Sequence, residues 1–298
     1  MIYPYILAIL AVLFWSANVV VGNALVGILT PWQIAFFRWG IACLLCLPFA
    51  WKRMVIEWSE MKKHLCWLIS TAIIGITISN TLAYYASETV KAIDLSLIGV
   101  TGPIFLILCS KIAGDIALSK QQILGLLCTL VGLFIVILHG RMENLKAFHF
   151  AIGDLWMLGM AFTFGFYSFL MTKRPDHLSQ NSILSWLLCL GFLGTIPPFI
   201  HETLQHPLVL GDNVTPTVSL IMLYMGIFNS LLAYLFWNLA LEKGGPVRIG
   251  MLYYIMPIFS AIEAHFFLNE QLYSSQLYGG IIILMGIYLV NRQRSTTA

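Results

Sequence analysis

Long apolar stretches alternate with short polar ones along the chain. Ten of them read as membrane-crossing helices. Five lie in the first half, roughly Ile2–Val26, Pro31–Ala50, Leu65–Ser87, Ile93–Ala113 and Gln121–Leu138. Five lie in the second, roughly Ile152–Thr172, Ser182–Ile200, Val218–Leu241, Val247–Leu268 and Gln276–Val290. Each run is near the ~20 apolar residues needed to cross ~30 Å of hydrocarbon. The runs are continuous, whereas barrel strands would show shorter segments of alternating polarity. Thr30-Pro31 is a helix start, with a hydroxyl cap followed by a proline at the first helical position. Connections are short, so consecutive helices run antiparallel. The pattern predicts an all-α membrane protein of ten transmembrane helices. The first run has no basic stretch before it and other runs follow, so it is expected to stay as a helix and not to be cleaved as a leader.

Composition strengthens this picture. The 298 residues are 59% hydrophobic and 10% charged, with a mean hydropathy of +0.87, against about 25% charged in soluble domains. Ten helices of ~20 residues leave too little chain for a soluble domain. The net charge of +3 gives no sign of a nucleic-acid partner, and the partner implied by the pattern is the lipid bilayer. Lysines and arginines set the orientation. With the N-terminus in the cytoplasm, inner segments hold Lys52, Arg53, Lys62, Lys63, Lys111, Lys120, Lys173, Arg174, Lys243, Arg248, Arg292 and Arg294. Outer loops then hold only Lys91, Arg141 and Lys146. Both termini are therefore expected in the cytoplasm.

The chain repeats itself at an offset of 154 residues. Pro103-Ile104-Phe105 maps onto Pro257-Ile258-Phe259, Glu88 onto Glu242, Gln122 onto Gln276, Gly125 onto Gly279 and Gly132 onto Gly286. Two units follow, residues 1–140 and 150–292. Five helices per unit is an odd number, so the two copies must have opposite orientation in the membrane. Inverted repeats are typical of secondary transporters, whose substrate site lies between the repeats.

These features resemble the EamA family of the drug/metabolite transporter superfamily, across nearly the whole chain. Phe14-Trp15-Ser16-Ala17-Asn18 resembles its first-helix signature, and Pro31 with Arg38 and Ala42 its second-helix pattern. Gly153-Asp154-Leu155 resembles the opening of its second unit, Ala233-Tyr234 its later Ala-Tyr pair, and Pro257 with Asn269-Glu270, Gly279 and Gly286 its closing pattern. One departure stands out: the first unit has Ile116, with Asp115 one place early, where Glu270 stands in the second. The resemblance implies a carrier of the bacterial inner membrane that works by alternating access. Family members move amino acids, nucleoside-like metabolites, sugars or drugs, often outward. The aromatic amino-acid exporter branch is the nearest fold analogy, and fold alone does not fix function.

Candidate residues are the polar and aromatic ones inside the spans. Arg38 is basic well within a span, where charge is costly. It reads either as a counter-charge for an anionic substrate group or as an anchor bonded to helix groups. Asn80 and Tyr84 share a helix face at i, i+4. The offset turns them into Tyr234 and Asn238, with the residue types swapped, and Asn229 and Ser230 extend that zone. They read as cavity lining or as interhelical bonds. Trp15, Asn18, Trp237 and Tyr254 add aromatic and amide groups suited to an amphipathic solute. Glu263 reads as a carrier of a coupling proton, as an amine ligand, or as a partner of His265 or Arg38. Pro103 and Pro257 read as a hinge pair or as fixed kinks. Asp154 reads as a helix-start carboxylate.

Other classes fit less well. No H-E-x-x-H metal motif and no G-x-x-x-x-G-K-[ST] nucleotide loop occurs, so no cofactor is expected and the chain does not read as an enzyme. A channel needs a continuous wet path, which the inverted repeat does not favour. The six cysteines lie in apolar stretches, where they read as packing. The expected state is a monomer or homodimer that takes a small-molecule substrate.

Overall fold

The computed structural model describes residues 2–25, 27–89, 98–137, 152–208, 215–268 and 274–291. Among these residues there is helix and no strand. The expectations resting on Lys91, Arg141, Lys146, Asn269, Glu270, Arg292 and Arg294, and on the start of the fourth span, lie outside the described residues.

The first half of the chain contributes α1 (Tyr3–Leu25), α2 (Pro31–Met61), α3 (Leu65–Ala72), a π turn (Ile73–Ile78), α4 (Ser79–Ser87), α5 (Gly102–Ile112) and α6 (Lys120–Ile137). The second contributes α7 (Ile152–Thr172), α8 (Gln180–Gln205), α9 (Thr215–Tyr224), a π turn (Met225–Leu232), α10 (Ala233–Gly244), α11 (Pro246–Leu252), a 3-10 turn (Tyr253–Ile255), α12 (Met256–Leu268) and α13 (Ser274–Asn291). Four helical runs, Pro31–Ser87, Ile152–Thr172, Gln180–Gln205 and Pro216–Gly244, are long and apolar enough to cross a membrane by length and composition. Shorter apolar helices accompany them. The protein is a multi-pass membrane protein.

Local chemistry explains the helix boundaries. Thr30 Oγ1 accepts from the Gln33 N–H and the Gln33 side chain accepts from the Thr30 N–H, so both ends of a capping box are made, with Pro31 at the first position. The sequence pattern ends this helix near Ala50, but it continues to Met61. Ala50, Met54 and Met61 keep a buried stripe while Lys52 and Arg53 face out, so amphipathic periodicity carries the helix beyond its apolar run. The chain then turns back through Lys62–His64. Arg38 bonds Asn80, whereas a straight helix would hold them about 60 Å apart.

The 154 offset recurs in the fold. It carries Lys120–Ile137 onto Ser274–Asn291 and the start of α5 at Gly102 onto the start of α12 at Met256. Pro103 and Pro257 are each the second residue of their helices. Each follows a break, a turn at Val100–Thr101 and a 3-10 turn at Tyr253–Ile255. Both prolines thus stand at helix starts beside interruptions, not inside continuous helices. The two π turns also end at matching positions, Ile78 and Leu232.

Two pairs of helices related by the offset pack on each other. α6 and α13 are antiparallel, since Gln121 reaches Leu289 and Cys128 reaches Ile282. Their glycines cross: a Cβ on Gly125 or Gly132 would lie 2.7 Å from the carbonyl oxygen of Gly286 or Gly279. Only the absence of side chains lets the backbones approach this closely. α2 and α8 are antiparallel as well and are clamped at both ends. Near the start of α2, Glu202 of α8 accepts from Thr30 Oγ1 and from the Trp32 N–H at 3.1 Å. Near its other end, Glu57 accepts from the Ser179 N–H and hydroxyl at the start of α8, both at 3.0 Å. Each helix thus places a carboxylate on the other's positive N-terminal end.

Candidate functional site

The polar core forms where α1, α2, α4 and the second π turn meet. Arg38 is fully buried. Its Nε donates to Ser230 Oγ at 2.6 Å, and its Nη1 donates to Asn80 Oδ1 at 3.2 Å and to the Tyr84 hydroxyl. Its Nη2 donates to the Asn229 carbonyl at 3.2 Å. The guanidinium also lies 4.7 Å from the centre of the Trp39 ring. All four hydrogen-bond partners are neutral, and among the described residues no carboxylate forms an ion pair with it. Desolvating a charge costs several kcal/mol. The charge-assisted bonds and the ring face offset part of that cost, and the positive charge itself remains unneutralised.

Two further links close the network. Asn80 Nδ2 donates to the Tyr234 hydroxyl at 2.7 Å, and that hydroxyl donates to the Gly75 carbonyl at 3.0 Å. Asn18 Oδ1 accepts from Asn229 Nδ2 at 3.1 Å and from the Tyr84 hydroxyl at 3.5 Å. Trp15 Nε1 donates to the Asn229 carbonyl at 3.0 Å. Gly75 and Asn229 occupy the same place in their respective π turns, 154 residues apart. A π turn breaks the regular i to i−4 ladder, and both of these carbonyls accept side-chain donors. Gly75 is also required sterically, because a Cβ there would fall 1.9 Å from the Tyr167 ring.

An aromatic layer adjoins the polar network. The Trp15 ring lies 5.2 Å from Phe164, 5.4 Å from Trp237 and 5.5 Å from Tyr234, centre to centre. Tyr253 closes the group at 5.9 Å from Trp237. Trp237 Nε1 donates to Ser168 Oγ at 3.0 Å, and Asn238 Nδ2 donates to the Tyr167 hydroxyl at 2.7 Å.

The structure therefore unites Trp15, Asn18, Arg38, Asn80, Tyr84, Asn229 and Tyr234 in one network. It places Trp237 and Asn238 in the adjoining layer. Tyr254 is buried, and its hydroxyl has no partner among the described residues. Glu263 lies outside the network: Oε1 accepts from Ser16 Oγ at 2.8 Å, and Oε2 has no partner among the described residues. It does not pair with Arg38, and the His265 side chain lies outside the described residues. Pro103 and Pro257 bound helix breaks away from these bonds. Asp154 is buried in the first turn of α7. The sequence reading did not single out Trp39, Phe164, Tyr167 or Ser168. A Tyr-Ser pair inside an apolar run was the available signal for the last two. Among the described residues no group of three His, Cys, Asp or Glu side chains could hold a metal ion.

Comparison with known proteins places this arrangement in context. The profile of the EamA-like transporter family matches residues 2–138 and again residues 151–292. An "Uncharacterized transporter" of Archaeoglobus fulgidus is 24% identical over 292 residues, covering 97% of this chain and 98% of its own. The "Uncharacterized transporter YyaM" of Bacillus subtilis is 22% identical over 283 residues, covering 95% and 92%. A solved crystal structure superposes with a TM-score of 0.74 over 96% of this chain and 95% of its own, at 17% identity, which shows a shared fold.

Proposed function

The chain belongs to the EamA-like transporter family, and from that premise we propose that it is a secondary-active carrier of a small organic solute, exporting amino acids or related metabolites. The observation that carries this reading is Arg38, a buried charge with neutral hydrogen-bond partners in a mixed polar and aromatic core. A substrate carboxylate is the group that would neutralise it. The buried Asn229 Oδ1 has no partner among the described residues, and it offers an acceptor for a substrate ammonium beside Arg38. The rings of Trp15, Trp237 and Tyr253 suit an apolar side chain. That layer also favours a second reading within the same fold, a carrier of drugs or nucleoside-like metabolites with a planar apolar part.

In this proposal ten spans form two inverted five-helix units, residues 1–140 and 150–292, in the inner membrane of a bacterium. Both termini are cytoplasmic, and the protein acts as a monomer or homodimer. The recurrence of helix boundaries at 154 residues and the antiparallel pairing of α6 with α13 support the inversion. Substrate enters between the units from the cytoplasm. Rocking at the breaks beside Pro103 and Pro257 then closes the inner mouth and opens the outer one. Tyr254, Asn238 and Trp237 line the path beyond the Arg38 network. Glu263 is the group proposed to carry a coupling proton, since one of its oxygens has no partner among the described residues and it lies inside a span.

The test is radiolabelled flux in proteoliposomes over a panel of amino acids, with and without a pH gradient. The expected result is saturable flux accelerated by substrate on the far side, at least tenfold lower in Arg38→Gln, with gradient dependence lost in Glu263→Gln. Wild-type flux in Arg38→Gln would make Arg38 an architectural anchor only. Full flux and unchanged pH dependence in Glu263→Gln would remove the proton role. Transport of nucleoside-like compounds or drugs in place of amino acids would select the second reading.

A further inference from the structure

Cysteines inside membrane helices usually act as small apolar side chains, but two of the six are placed together. Cys43 of α2 and Cys189 of α8 come from residues 146 apart, and their sulfurs are 3.4 Å from each other. The surrounding interface is close because its residues are small. Gly40 and Ala42 flank Cys43, and a Cβ on Gly40 would already stand 3.0 Å from the Phe192 ring. One turn along, the sulfur of Cys46 is 3.0 Å from Ser185 Oγ, which gives that thiol a partner of its own. The helices are held in register at both ends by the Glu202 and Glu57 clamps. The two sulfurs therefore meet in a fixed frame. Cys43 is buried, and Cys189 is partly open at the edge of the pair, within reach of a small lipid-soluble reagent.

We propose that Cys43 and Cys189 form a dithiol modification site that takes two-electron thiol oxidants of the azo class and closes to a disulfide stapling α2 to α8. A disulfide sets its sulfurs about 2.05 Å apart, so each has to move by about 0.7 Å. With an azo oxidant, one sulfur adds to the N=N bond and the other displaces it. The S–S bond forms, both S–H bonds are lost, and the two protons and two electrons appear in the hydrazine product. A dithiol reductant reverses the step by thiol–disulfide exchange. This inference is independent of which solute is carried.

The experiment treats the full-length protein in membranes with diamide, then denatures it and counts free thiols by maleimide mass shift on a non-reducing gel. Wild type is expected to fall from six reactive thiols to four without leaving the monomer band, and to recover all six after dithiothreitol. Cys46→Ser is expected to lose two thiols as well, whereas Cys43→Ser and Cys189→Ser lose none. Peptide mapping of oxidised wild type is expected to recover the segments bearing Cys43 and Cys189 as one cross-linked species, a readout that needs no variant to fold. Six reactive thiols after diamide, a dimer band, or a cross-link through Cys46 would overturn the proposal.

Discussion

Tyr234 and Tyr254 are both buried in the second half of the chain, yet only the first has bonds for its hydroxyl among the described residues. Tyr234 joins Asn80 of the first half to the Gly75 carbonyl, so Tyr234→Phe leaves a donor and an acceptor unpaired in the core. The expected loss is about 1–3 kcal/mol, against a change near zero for Tyr254→Phe, read by thermal unfolding in detergent. Equal losses would mean that the network does not hold Tyr234. At this scale the sequence was informative where polarity was unexpected. Arg38, Asn80 and Tyr84 are conspicuous in apolar runs, and the i, i+4 rule put the last two on one face. Trp39, Phe164 and Tyr167 were hidden, because aromatic residues abound in membrane helices and periodicity does not say which of them meet.

The elements derive their geometry from their ends and interruptions. α2 and α8 cap each other through Glu202 and Glu57, a device visible only when both helices are in place. A carboxylate on a helix N-terminus is stabilising through the dipole and through direct bonds. Glu202 accepts from Thr30, Trp32 and also Tyr85, whereas Glu57 accepts from Ser179 alone among these contacts. Glu202→Gln is therefore expected to lower stability by about 1–3 kcal/mol, more than Glu57→Gln, in the same unfolding measurement. The reverse order would show that the number of bonds does not set the strength of the clamp. The Thr30-Pro31 start was legible because a cap is local chemistry. The extension of α2 to Met61 was not read, because a window of apolar residues ends where an amphipathic helix continues. The π turns left no local mark in the sequence.

At the scale of the whole molecule, two pairs of helices related by the 154 offset pack on each other, α2 on α8 and α6 on α13. α6 and α13 approach closely, glycines of one helix facing carbonyls of the other. Gly132→Leu would drive a side chain into the Gly279 carbonyl. Overpacking of this kind costs roughly 1–3 kcal/mol, or more where backbone is the obstacle, so the expected outcome is a lower unfolding temperature and a smaller monodisperse fraction on size exclusion. Val131→Leu, on the exposed side of the same helix, should leave both unchanged. A Gly132→Leu protein as stable as wild type would mean that the two helices can separate freely.

The sequence by itself determined the helical class, the bilayer as solvent, the family resemblance and the internal offset of 154 residues. Each of these rests on composition, run length or spacing, which a linear chain carries in full. The tertiary structure alone decided that Arg38 is met by four neutral partners, that Glu263 bonds Ser16 instead of Arg38, and that Cys43 meets Cys189. Those contacts join residues far apart in the chain. In an apolar bundle, which faces touch is settled by shape, through glycine gaps and side-chain volume, and hydropathy along the chain does not encode that choice.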